Sequence, residues 1–440
     1  MSVLTRWLVL PFLPQNRLGQ VVFSITDQAF SVGGMFVANV ALARAASKEE
    51  YGMFALVYSV FNFLAGLHNA AILEPYTVHG AGRYNNYNLP YRWLIWRNNA
   101  LLGLGLTTLL LLVCGALSWI VSAAGSRAIA GLAISSSVLL TTALLRRILY
   151  VERKVALAAK LSAVFFLTLL LLLGVLMKFA LLNALTVFLA VALASVVGNL
   201  VVLGEWPRKT SLGSFCEAEP HHLLEHWRYA RWVFATAFVF QLTSQAYYWL
   251  VAAFLTLKQV AELRALYMLV MPVDQVFTAI SLIVLPMMAA RYAAKQISGL
   301  LSLWRAYLLT FLLIGVAFVF LVLLTGRSVS HVVYEGKFDN VAPLVGTLAL
   351  LPVVMGIGST MNVVMKAAEK PNMVFYAYIA SGVATFAVGI PLMIDFGLKG
   401  AVYGMLISGG VYTAALGIGF LTLIPRLRSL RVANEQNPVF

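Results

Sequence analysis

Apolar side chains in this chain come in long runs, separated by short polar stretches that hold most of the lysines and arginines. A helix needs roughly 20 mostly apolar residues to cross about 30 Å of hydrocarbon. Twelve runs meet that length: Leu18–Ala43, Tyr51–Leu73, Trp93–Ile120, Ile129–Leu149, Leu157–Met177, Leu181–Leu203, Ala230–Leu257, Glu262–Leu285, Leu303–Thr325, Val341–Met365, Val374–Ile394 and Gly400–Leu423. The period-two alternation of a membrane barrel strand is missing over such lengths. The pattern predicts an all-α polytopic membrane protein of about twelve transmembrane helices.

Composition agrees. Of 440 residues, 61% are hydrophobic and only 11% charged, against about 25% charged in soluble domains, so a water-facing surface could not be covered. The net charge of +15 raises nucleic acid as a partner, but the basic residues lie between apolar runs and mark topology instead. With the N-terminus inside, the cytoplasmic segments hold over twice as many of the 31 lysines and arginines as the outer ones. They run from Arg6 and Arg17, through Arg146, Arg147, Arg153, Lys154 and Lys160, to Arg426, Arg428 and Arg431. Both termini are therefore expected in the cytoplasm, and the location is the inner (cytoplasmic) membrane. The stretch Trp7–Leu13, flanked by Pro11 and Pro14, reads as an interfacial segment rather than a signal peptide.

The polar connector Gly204–Tyr229 divides the runs into two sets of six. The expected organisation is an N-terminal lobe (1–203), a cytoplasmic connector (204–229) and a C-terminal lobe (230–440) around a central cavity. Lys48, Pro75 and Arg83-Tyr84 in the first half correspond to Lys258, Pro286 and Arg291-Tyr292 in the second. That register points to a parallel repeat whose lobes rock against each other.

Candidate chemistry lies in the polar side chains inside the runs. An acid at helix centre costs about 2.5–3.5 kcal/mol on insertion scales and is normally turned inward and used. Asp274 sits at the middle of its span, about 16 Å from either end, on a face with Tyr267, Met271, Thr278 and Ser281. Asp27 lies about 6 Å to the cytoplasmic side of the centre of the first span. Both are candidate proton or sodium sites; the alternative is glue between helices, or pairing with an arginine such as Arg264. Gln241, Gln245 and Tyr248 form a stripe on the seventh span and Asn62 lies on the second. With Arg97 and Arg264 as cations, these are the candidate lining of a substrate cavity. Arg44, Arg146 and Arg147 are further candidates for meeting phosphate. Cys216, His221, His222, Glu225 and His226 in the connector read as an interfacial helix rather than a metal site. Phosphate-loop and dinucleotide glycine patterns are absent, so no catalytic residue and no cofactor is expected.

Three segments carry a resemblance. Leu42-Ala43-Arg44 followed by Glu50-Tyr51-Gly52-Met53-Phe54, the turn Met365-Lys366-Ala367-Ala368-Glu369-Lys370-Pro371, and Phe396-Gly397-Leu398-Lys399-Gly400-Ala401 resemble the polysaccharide-transporter family of lipid-linked oligosaccharide flippases. That family belongs to a superfamily that also holds the multidrug/toxin extrusion carriers. The resemblance implies alternating access and an undecaprenyl-pyrophosphate-linked glycan as cargo. It also implies membrane lipid and polysaccharide assembly proteins as partners, with no nucleic acid. The alternatives are a cation-coupled drug or toxin antiporter, and a membrane-bound polymerase or ligase of the same glycan pathway, which would need a large outer loop.

Overall fold

In the computed structural model the described residues are 18–81, 89–117, 119–120, 122–205, 220–368 and 370–436. Trp7–Leu13, Arg83-Tyr84, Cys216 and Glu369 lie outside them. Every apolar run becomes helix, and no strand occurs among the described residues. The helices are α1 (Leu18–Ala45), α2 (Lys48–His68), α3 (Leu89–Leu117), α4 (Ala123–Val151), α5 (Val155–Lys178), α6 (Ala184–Gly204), α7 (Pro220–Phe254), α8 (Leu257–Ala293), α9 (Ile297–Tyr334), α10 (Leu350–Ala367), α11 (Pro371–Ala384) and α12 (Ile390–Gln436). Among the described residues, nine helical stretches are long and apolar enough to span a membrane. One of them, Asn372–Pro425, contains two of the twelve runs; the first and seventh runs, which carry polar stripes, are not among the nine.

Local chemistry sets the ends. Ser47, Ser122, Asn183 and Thr256 each accept a backbone N–H of the first turn that follows, as helix caps do. Two helices contain wider turns. A π turn, Asn69–Leu73, carries α2 into the short helix Glu74–Ala81, and another, Thr385–Gly389, joins α11 to α12. Within α12 the backbone breaks at Gly397 (φ 59°, ψ −135°), a conformation that needs glycine. Three residues on, a side chain at Gly400 would meet the Leu392 carbonyl oxygen at 1.8 Å. Both glycines of the Gly397-to-Ala401 motif thus shape the reversal between the last two spans.

The chain forms two compact units: Met1–Glu50 with Leu64–Ala235, and Tyr51–Phe63 with Thr236–Phe440. The membership of α2 and α7 changes along their length, at residues 63/64 and 235/236. In the first unit α1 packs on α5, and α4 packs on α3 and α6. Its core joins Ile72, Leu73, Tyr91, Ile95, Leu144 and Ile148. Close approach rests on small residues there: a Cβ on Gly34 would lie 2.8 Å from Phe165. In the second unit α8 and α9 pack on α10, and α12 packs on α10 and α11. The outward positions of α3 and α9 are leucine-rich, with Leu112 and Leu324 both 67% exposed, as suits a wall meeting lipid.

Candidate functional site

Among the described residues, each unit encloses buried charge. In the first, Asp27 of α1 has no exposed surface. Arg146 of α4 donates Nη2 to Asp27 Oδ2 at 2.6 Å and Nε to Oδ1 at 3.2 Å, and Nη1 to Ser31 Oγ at 2.9 Å. One turn after Arg146, the Tyr150 hydroxyl donates to Oδ2 at 2.7 Å, and Ser162 of α5 donates to Oδ1 at 2.5 Å. These four donors fill the carboxylate's acceptor sites. A bare carboxylate in hydrocarbon would cost several kcal/mol (about the effective desolvation penalty of a buried ion), and this set of partners removes most of that cost. The helix glue and arginine pairing weighed from the sequence are thus both realised at Asp27, with Arg146 in the place suggested for Arg264.

The adjacent Arg147 takes another direction, since neighbouring helical residues do not share a face. Its Nη2 donates to Asn69 Oδ1 at 2.9 Å. Asn69 opens the first π turn, and two further side chains hold that segment. His68 Nε2 meets Asn99 Oδ1 at 2.7 Å, and His226 Nε2 meets the Ala71 carbonyl at 2.7 Å. The Ala71 carbonyl can only accept, which places the His226 proton on Nε2 and leaves Nδ1 to accept from the Tyr91 hydroxyl at 3.0 Å. Burial pushes the His226 imidazole below the ordinary histidine range, and nearby His79 adds to the effect; the Ala71 carbonyl opposes it. The unfolded chain therefore binds this proton more readily than the folded one. The stabilisation is full above the ordinary histidine value and is lost as pH falls through that value towards the lower folded one. Thermal denaturation of the solubilised protein should show the midpoint falling over that acidic window, with a smaller fall in His226→Gln.

In the second unit Arg264 of α8 is buried between aromatic rings. Its guanidinium carbon lies 4.9 Å from the Tyr58 ring centroid and 5.9 Å from that of Tyr248. Nη1 is 3.5 Å from the Tyr248 hydroxyl. Cation–π attraction of this kind is worth about 2 kcal/mol once desolvated. Further along α8, Asp274 accepts from the Tyr267 hydroxyl at 3.2 Å. Ser281, two turns on, pairs with the Tyr307 hydroxyl at 2.7 Å. Gln245 Oε1 is buried without a hydrogen-bond partner among the described residues. An apolar groove of about 600 Å³ runs beside Leu242, Ile379, Gly382 and Phe386. Thr243 in its wall turns its hydroxyl back to the carbonyls of Val239 and Phe240.

Of the residues singled out from the sequence, Tyr248 and Arg264 come together, and Asp27 and Asp274 each sit in a polar cluster. Arg97 is exposed. Asn62 and Gln241 are partly buried and enter neither cluster among the described contacts. Tyr58, Tyr150 and Ser162 escaped the sequence reading, because a hydroxyl at a helical register does not show which neighbouring helix it faces. His226 serves the π turn; among the described residues no three metal-ligating side chains gather.

No protein-family model matches this chain, and no curated protein does. Solved structures do. One described as the inward-facing conformation of a multidrug resistance MATE family transporter of the MOP superfamily is 14% identical, with a TM-score of 0.77 over 93% of this chain and 99% of that one. An outward-facing conformation of such a transporter is 13% identical, with a TM-score of 0.69 over 94% and 96%. A MOP superfamily transporter from Pyrococcus furiosus, described as having a binding pocket of reverse polarity, is 14% identical, with a TM-score of 0.68 over 94% and 96%. The chain has their fold. It is a multi-pass helical membrane architecture of about twelve spans in two lobes, and these solved structures that share it are described as transporters. Those structures are described as members of the superfamily that the sequence resemblance named, and the likeness to them is one of fold.

Proposed function

We propose that this protein is a cation-coupled transporter of small organic molecules that works by alternating access. The observation that carries the reading is buried, hydrogen-bonded charge within spans of a fold seen in both inward-facing and outward-facing transporters. A protein that only filled the bilayer would have no use for ionised side chains in hydrocarbon. The likeness to multidrug transporters supports the drug-and-toxin alternative over a lipid-linked glycan. The excess of basic residues supports a cytoplasmic location for both termini in an inner membrane.

Reconstituted vesicles with an imposed proton or sodium gradient test the proposal, read by accumulation of a fluorescent drug. Wild-type protein should concentrate the dye only while the gradient lasts. Asp274→Asn should lower that turnover by a factor of about 100 with insertion intact, the range expected when a positioned proton-carrying group is lost. Gradient-independent leakage, or wild-type rates in the variant, would refute the coupling role.

A second reading keeps specific support. The segments around Tyr51-Gly52 and Gly397-to-Ala401 resemble lipid-linked oligosaccharide flippases, and buried Arg264 and partly buried Arg146 suit an anionic head group. Polysaccharide assembly proteins would then be partners. Labelled lipid-linked oligosaccharide in the same vesicles separates the two cargoes.

A further inference from the structure

We infer that the groove between α7 and α11 seats the acyl chain of a bilayer phospholipid against the π turn Thr385–Gly389. The inference concerns a resident lipid and goes beyond the transport reading, which names only a cargo and a coupling ion.

Two helical stripes make the walls. Val239, Leu242 and Thr243 fall at i, i+3 and i+4 on α7, and Ile379, Gly382, Val383 and Phe386 at i, i+3, i+4 and i+7 on α11 and its π turn. With Ala387 they enclose about 600 Å³. The walls meet at Gly382, where a Cβ would stand 3.0 Å from Thr243 Cγ2. A hydroxyl network holds this arrangement. Tyr247 of α7 reaches into a notch between two glycines: a Cβ would lie 2.7 Å from its hydroxyl oxygen at Gly389 and 2.8 Å at Gly404. There the hydroxyl is 2.9 Å from Ser408 Oγ, which Thr385 Oγ1 meets at 3.0 Å, and Ser381 Oγ donates to the Ser408 carbonyl at 3.0 Å. These buried bonds join α7, α11, the π turn and α12. The groove is therefore set by backbone and does not collapse through a change of rotamer.

Depth and chemistry select the occupant. Leu242 and Val383 lie within about 3 Å of the midpoints of their apolar runs. Val383 and Phe386, on the rim, are 62% and 46% exposed, and exposed apolar rims at this depth face hydrocarbon. An unfilled space would deprive the walls of dispersion contacts. A drug-sized ligand normally finds a few polar groups that fix its orientation. Here the one side-chain hydroxyl of the walls, on Thr243, turns to the carbonyls of Val239 and Phe240, and the rest of the lining is apolar. A partner helix would need a stripe of many turns, whereas Ile379 to Ala387 covers about two, or about 12 Å. That length suits the hydrocarbon of one leaflet, about 15 Å deep. Because the stripe straddles the midpoint of its run, it takes the methyl-terminal half of the chain.

Photolabelling of the full chain tests the inference. The protein is reconstituted in phosphatidylcholine vesicles whose lipid carries a diazirine near the methyl end of one chain, then extracted into detergent, irradiated and digested for mass mapping. Adducts should fall on Leu242, Ile379 or Val383 about tenfold more often than on the exposed Leu112 of α3 or Leu324 of α9, because a chain walled on two sides leaves more slowly than one on an open helix face. A diazirine beside the glycerol should lose that preference. Ala387→Trp and Val239→Trp fill the groove from opposite walls. Each should abolish the groove adducts while those at Leu324 persist, with gel filtration confirming the fold. Absent or evenly spread adducts, or groove adducts unchanged in either folded variant, overturn the inference. If neither variant folds, the wild-type comparison of the two diazirine positions decides alone. Cross-links between two copies in place of lipid adducts would assign the groove to a dimer and also overturn it. A groove lipid retained by a protein that transports nothing sinks only the transport reading and leaves this one standing.

Discussion

Gly52→Ala is expected to cost the protein about 3 kcal/mol or more of stability, at the upper end of overpacking penalties. A Cβ at this position would stand 1.9 Å from the Leu257 carbonyl oxygen and 2.8 Å from its carbon. Both obstacles are backbone, so no rotamer change relieves the clash and α2 must retreat from the start of α8. Tyr51 beside it cannot follow freely: it is fully buried, with its ring 6.1 Å from Phe338 and 6.4 Å from Phe54. Fluorescence-detected size exclusion after graded heating measures the loss. Gly410→Ala is the control, with nothing within 4 Å of its Cβ, and its midpoint should hold within about 0.5 kcal/mol. Equal behaviour of the two variants would show that the α2–α8 approach contributes nothing. The Tyr-Gly pair of the sequence resemblance is thus explained by packing and needs no binding role.

Arg146→Gln should destabilise the first unit by about 3–5 kcal/mol, the usual consequence of leaving one partner of a buried ion pair uncompensated. Asp27 would retain Tyr150 and Ser162 but lose the only full charge that the structure sets against it in an ion pair among the described residues. Adding Asp27→Asn should recover most of that loss, because an amide carries no charge to desolvate. A double-mutant cycle on thermal unfolding in detergent reads the coupling directly. Additive losses would mean that the ion pair is incidental to stability and that Asp27 is satisfied by hydroxyls alone.

These two sites differ in how far the linear order reveals them. Gly52 lies in a segment that stands out by resemblance, yet its purpose is a carbonyl over two hundred residues away. Asp27 stands out alone, as an acid in an apolar run. Its partner Arg146 was weighed as a phosphate contact, and Tyr150 and Ser162 were unremarked. Arg264 stands out in the sequence as a candidate cavity cation or partner for an acid; its burial, and the Tyr58 and Tyr248 rings of α2 and α7 that flank it, come only from packing. Helical periodicity reports which residues share a face of one helix. It carries no record of which face of another helix arrives opposite, because that depends on crossing geometry set by small residues and by the bilayer.

Reading along the chain alone fixes that these segments are helices, that about twelve of them span a membrane, and that basic residues favour one side. Hydrocarbon enforces this: an unpaired peptide group there costs several kcal/mol, so each long apolar run has a single backbone solution. Packing alone decides that α2 and α7 change units along their length, that a π turn is gripped by His226 and Arg147, and that Asp27 closes on Arg146. Side chains distant in sequence gain such partners only when helices approach, and many arrangements of equally apolar helices satisfy the lipid. The choice among them is made by a few glycines and buried charges whose energies are comparable to the whole net stability.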